Sequence, residues 1–139
     1  MKITIKTATL ENLEDIIKLN HVLCIKEHTD YEKTVNPDFS ISKKGRNYFK
    51  ERIENECALV AIYNEGIIGY LVGAIIPNEH YRTISKIAEV ENMYILEPCR
   101  NLGIGKMLMA EFEKWAKSKN AEIMRVVASV ENTDAIKFY

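Results

Sequence analysis

Val90-Glu91-Asn92-Met93-Tyr94-Ile95-Leu96-Glu97-Pro98-Cys99-Arg100-Asn101-Leu102-Gly103-Ile104-Gly105-Lys106 joins two kinds of periodicity. Residues 85–96 alternate weakly between apolar and polar, which predicts a strand. Residues 103–119 bring Ile104, Leu108, Phe112 and Trp115 onto one face, which predicts a helix. Between them lies a turn with Pro98, two glycines and two cations. A helix start leaves several backbone N–H groups unpaired and carries about half a positive charge. Glycine there lets an anion reach the backbone because no Cβ intervenes. Arg100 and Lys106 add charge. A hydrogen bond to a charged group contributes roughly 1.5–3 kcal/mol, so several together suffice to hold a pyrophosphate.

Three phosphate-loop patterns compete for this turn. A Walker loop ends in Gly-Lys-[Ser/Thr]. Gly105-Lys106 fits, but Arg100 stands where the first Gly belongs and Met107 replaces the hydroxyl residue. A dinucleotide fingerprint requires a small residue where Leu108 sits, and it normally follows the first strand of a domain. The third pattern, [Arg/Gln]-x-x-Gly-x-[Gly/Ala] between a strand and a helix, is matched in full. A helix start merely eased by glycine, with no ligand, is the plain alternative.

Working outward, Ile3, Ile5 and Thr7 alternate with Lys2, Thr4 and Lys6 as a half-buried first strand. Thr9 is a candidate cap with Asn12 as its reciprocal partner. Leu10, Leu13, Ile16, Ile17, Asn20, Leu23 and Cys24 then predict an amphipathic helix over 10–27, followed by a long polar loop over 28–42. Residues 43–55 predict a second, more exposed helix with Tyr48, Phe49 and Ile53 as its apolar stripe. Residues 57–63 and 67–76 are β-prone runs joined by the turn Asn64-Glu65-Gly66. A polar connection spans 77–83, a strand spans 123–130, and a last helix begins at Asn132. Strands flanking the third helix need a crossover and are expected to be parallel. The fold class expected is α/β (α+β): one domain over 1–139 with a mixed, mostly antiparallel central sheet and helices on both faces.

The chain has 139 residues, 47% of them hydrophobic, and a net charge of -1. One core is therefore affordable, and nothing globally basic invites nucleic acid. No apolar run approaches the roughly 20 residues of a membrane helix, and the N-terminus lacks a signal-peptide apolar region. Cys24, Cys57 and Cys99 are odd in number and scattered, which predicts a reducing cytoplasm rather than a disulfide framework. His21 and His28 are seven apart without a third ligand, so no metal is expected. His80, in the polar connection, receives no role.

The stretch from Val90 to Arg100, the full loop pattern, and Asn132-Thr133-Asp134-Ala135-Ile136-Lys137-Phe138-Tyr139 together resemble consecutive motifs of the GNAT superfamily of acetyl-CoA-dependent N-acetyltransferases. The order of elements resembles that family along the whole chain, while the specific motifs lie between Glu89 and Tyr139. The resemblance implies an acyl-CoA N-acyltransferase fold and acetyl-CoA as cosubstrate. It implies that the backbone of Met93, Tyr94 and Ile95 holds the pantetheine arm in the manner of an added strand. Arg100, Asn101, Leu102, Gly103, Ile104, Gly105 and Lys106 would hold the pyrophosphate, and Asn132 the pantetheine. An N-cap role suits Asn132 equally well. The reaction implied is direct attack of a primary amine, of a small molecule or a protein, on the thioester. Glu89 and Glu91 share a strand face, and either is a candidate general base. Tyr139 matches the family tyrosine that protonates the departing thiolate. Solvated or ion-paired carboxylates, and an ordinary core aromatic, are the plain readings of these three.

The chain stops where family members add a turn and a β-hairpin. Three explanations stay open: a truncated chain, a short protein completed through a homodimer at the exposed sheet edge, or a non-catalytic acyl-CoA-binding or regulatory domain. The acceptor is unspecified. Glu27, Asp30, Tyr31 and Glu32 are candidates to attract a cationic amine, and a solvated loop is the alternative for each.

Overall fold

The computed structural model describes residues 2–77, 86–126 and 137–138. Its elements run β1 (Thr4–Thr7), α1 (Leu13–Asp30), α2 (Lys43–Asn55), β2 (Cys57–Tyr63), β3 (Gly66–Ile76), β4 (Ile87–Ile95), α3 (Ile104–Ser118) and β5 (Ile123–Val126). Short 3-10 turns at Leu10–Asn12 and Glu97–Cys99 lead into α1 and the glycine loop. The strands form one sheet in the order β1-β2-β3-β4-β5. The first three pairings are antiparallel, and β4 pairs with β5 in parallel across the α3 crossover. Among the described residues, no helix is long and apolar enough to cross a membrane.

Local chemistry explains most boundaries. The Thr9 N–H donates to Asn12 Oδ1 at 2.9 Å, so Asn12 is the cap partner its position suggests. The Ser42 Oγ accepts the Gly45 N–H at 3.1 Å and starts α2 where the sequence places it. Asn64 and Glu65 both have positive φ (48° and 65°), the two-residue turn that matches the twist of a hairpin. Both limits of the helix expected over 10–27 are corrected: Leu10–Asn12 is a 3-10 turn, so α1 starts at Leu13, and it continues three residues past 27, to Asp30. The polar residues Lys26 to Asp30 hid this last turn from a hydrophobic-periodicity argument. His28 Nδ1, 2.9 Å from the Val35 carbonyl oxygen, and His21 Nε2, 3.0 Å from Asp38 Oδ1, tie the shortened loop back to the helix.

The sheet separates two apolar layers. On one face, Leu59, Leu71, Ala88 and Val90 pack with Ile104, Leu108 and Phe112 of α3. On the other, Val60, Tyr70, Val72 and Tyr94 pack with Ile16, Ile17 and Leu19 of α1 and Phe49 of α2. Alternation along β4 serves both layers, except at one point. Val72 pairs with Asn92 and Gly73 with Val90, so Glu91 is an extra residue, a β-bulge. The bulge brings Glu91 and Asn92 together toward α2, where both meet Tyr48.

Candidate active site

The loop is left-handed twice. Asn101 has φ 65° and Gly103 has φ 82°, the second directly before α3. A Cβ added at Gly103 would meet nothing within 4 Å, so the space before the helix start is open. The first amide satisfied by a turn of α3 is that of Met107, which donates to the Gly103 carbonyl at 3.1 Å. The amides ahead of it have no carbonyl one turn earlier in the helix and face an anion-sized opening. Gly105 serves differently. A Cβ there would lie 2.9 Å from Cζ of Phe138, so the bare backbone lets that ring close over the loop.

These residues line a cleft of about 900 Å³. Met93, Tyr94 and Ile95 of β4 share that lining, as do Leu23 and Glu27 of α1 and Tyr31 directly after it. Arg100 has a structural task as well as its charge. Its Nε donates to the Ile95 carbonyl at 2.9 Å, and its guanidinium stacks 5.1 Å from the centre of the Tyr94 ring. This braces the loop against the end of β4. Leu102 is half exposed and Lys106 is exposed. The structure therefore gathers Met93, Tyr94, Ile95, Arg100, Asn101, Gly103, Ile104, Gly105 and Lys106 around one opening. Asn132 and Tyr139 lie outside the described residues.

Glu89 and Glu91 do not line this cleft. Glu89 stands opposite Arg125 in the parallel pairing and accepts its Nε and Nη2 at 2.9 and 2.7 Å. Glu91 accepts the Tyr48 hydroxyl at 2.6 Å and the Arg52 Nε and Nη2 at 2.6 and 2.9 Å. A chain of polar groups continues from there. Asn92 Nδ2 donates to the Tyr48 oxygen at 3.3 Å, and Asn20 Nδ2 donates to Asn92 Oδ1 at 3.4 Å and to the Tyr70 oxygen at 2.7 Å. Burial, then the Glu91 carboxylate, push the Tyr48 phenol well above its ordinary range, so it remains a neutral donor. The Glu91 carboxylate likewise holds Arg52 firmly protonated. Sequence reasoning missed this network because its partners lie 39 to 72 positions apart.

Two further groups on α1, Glu27 in the cleft lining and the buried Cys24, are perturbed. Burial, then repulsion from Glu32, raise the Glu27 carboxyl above its ordinary value. Burial, then Glu27, push the Cys24 thiol up to about 11, so it stays protonated. Among the described residues, no cluster of His, Cys, Asp and Glu could hold a metal ion.

The sequence profile of the acetyltransferase (GNAT) family matches residues 17–139. The chain belongs to the GNAT acetyltransferase family. No curated sequence matches significantly. Among solved structures, an aminoglycoside N-acetyltransferase in complex with CoA superposes with a TM-score of 0.77 at 19% identity, over 99% of this chain and 84% of that one. A protein from Clostridium acetobutylicum, described as a predicted acetyltransferase with acetyl-CoA, gives a TM-score of 0.80 at 20% identity, over 99% and 88%. A ribosomal-protein-alanine N-acetyltransferase from Brucella melitensis biovar Abortus gives 0.69 at 17%, over 99% and 88%. At these identities the GNAT structures establish a shared fold, and the profile match establishes the family.

Proposed function

We propose that this GNAT protein transfers the acetyl group of acetyl-CoA to a primary amine in a ternary complex. The carrying observation is the open, left-handed glycine turn at the start of α3, set at the mouth of a cleft large enough for a long ligand. The residues fit the cosubstrate. Backbone amides from Leu102 to Lys106, with Lys106 and Arg100 beside them, suit a pyrophosphate. Met93 to Ile95 present strand backbone suited to an amide-bearing arm. Acetyl-CoA supplies an activated acetyl thioester from which an amine takes the acetyl group as the thiol departs.

The chain's own work in this reading is placement and proton handling. Glu89 and Glu91 are the proposed proton acceptors. Since each is held by an arginine and stands back from the cleft, it would receive the proton through water. Tyr139 is the proposed donor to the thiolate, and Asn132 a second contact to the arm. The three unbridged cysteines support a cytoplasmic setting.

A non-catalytic acyl-CoA-binding domain is the second reading, favoured by the arginine-bound state of both glutamates. Titration calorimetry with acetyl-CoA, followed by release of free CoA with a panel of primary amines, separates the two. The enzyme reading expects binding and amine-dependent CoA release. Binding without turnover on any amine rejects it, and absence of binding rejects both.

A further inference from the structure

We propose that Glu27 is the acceptor-binding residue of this site, receiving the amine as its ammonium, so that the natural acceptors are cationic amines. The inference rests on the acetyl-transfer reading and extends it to the second substrate.

Four observations converge on this residue. Glu27 lies on the last turns of α1 and lines the same cleft as the glycine turn, on a different element of the fold. Its carboxylate makes no hydrogen bond or ion pair among the described residues, whereas Glu89 and Glu91 are both committed to arginines. It is half-buried, so water compensates its charge only in part. Burial first and Glu32 second both act against its ionised form. A half-buried carboxylate without a counter-charge is costly unless a ligand supplies one. An incoming ammonium does that, and the charge-assisted hydrogen bond offsets the hydration it gives up.

The cleft also carries the matching asymmetry. Arg100 and Lys106 belong to the glycine loop, where an anion is expected, and Glu27 to α1, outside that loop. Lys26 also lines the cleft, but it is the preceding helix position, and adjacent positions do not face each other on a helix. Tyr31 supplies an aromatic wall beside Glu27 that suits a cation. Glu89 and Glu91 do not line this cleft, so the proton released by the bound ammonium travels to them through water, and Glu27 acts by holding the amine.

The test compares wild type with Glu27→Gln, which keeps size and hydrogen bonding and removes charge. The panel is spermidine, 1,4-diaminobutane, kanamycin and a peptide with a free N-terminal alanine, all protonated at pH 7.5. For every panel amine that is acetylated, Glu27→Gln should raise KM by about tenfold, the equivalent of about 1.4 kcal/mol. The kcat should stay within about threefold, as expected for lost binding shared by ground and transition states. The Kd of acetyl-CoA, read by calorimetry, should not change. Glu27→Asp should recover part of the lost KM. An unchanged KM in Glu27→Gln overturns the proposal. So does a wild-type protein that acetylates only neutral amines, whereas one that binds acetyl-CoA yet turns over no amine at all overturns the acetyl-transfer reading on which the proposal rests. Wild-type protein that fails to bind acetyl-CoA overturns the underlying acetyl-transfer reading instead, and does so before any variant is made.

Discussion

A side chain at position 103 would begin from φ 82° and project into open space. Gly103→Glu therefore costs the fold only the strain of a left-handed residue, about 1–2 kcal/mol, while placing a carboxylate where the anion is expected. Its expected effect is a loss of acetyl-CoA affinity of about a hundredfold or more, the size of one or two charged hydrogen bonds. Calorimetry on a variant that keeps its circular dichroism measures this, and an unaltered Kd would contradict the placement. The glycine turn was legible because its chemistry is local: two glycines, two cations and a helix start lie within seven residues. The clamp on Glu91 was not legible. Tyr48 and Arg52 stand 43 and 39 positions before it, and only the bulge that adds Glu91 to β4 brings them together.

Strand and helix boundaries followed the sequence wherever an apolar period or a capping residue marked them. The α2 limits, Lys43–Asn55, and the hairpin turn are examples. The end of α1 did not, because its last turn is polar and gains its place from tertiary contacts such as that of His28 with Val35. The bond between α2 and β4 is a matching case at the level of elements. Tyr48 joins them through one hydroxyl that donates to Glu91 and accepts from Asn92. Tyr48→Phe deprives both partners while keeping the ring that packs edge-on against Phe49 at 4.9 Å between centroids. A loss of about 1–3 kcal/mol in urea unfolding is expected, since Asn92 Nδ2 loses its acceptor and Glu91 keeps only its bonds from Arg52. Acetyl-CoA affinity should change little, because Tyr48 itself does not line the cleft. A loss below about 0.5 kcal/mol would mean that water replaces the hydroxyl freely.

The described residues form a five-stranded sheet between two apolar layers, and Glu27 lines the cleft. Its carboxyl is raised from an ordinary 4.5 by burial first and Glu32 second. The folded chain therefore keeps a proton that the unfolded chain gives up. Stability from this group is undiminished below the ordinary value. It falls as pH rises from there through the raised folded value, and stays lower above it. Glu27→Gln removes that dependence. The expected result is a higher Tm than wild type at pH 7.5 and a difference that shrinks toward zero near pH 4, read by thermal unfolding across pH. An equal Tm at both pH values would place Glu27 in ordinary solvent.

The lone carboxylate also bears on what leaves. Acetylation turns a cation into a neutral amide, so the same side chain that draws in the acceptor has nothing left to hold after transfer. Turnover thereby erases its own attraction, and the acetylated amine should inhibit with a constant about tenfold above the KM of its parent, consistent with one lost charge-assisted contact.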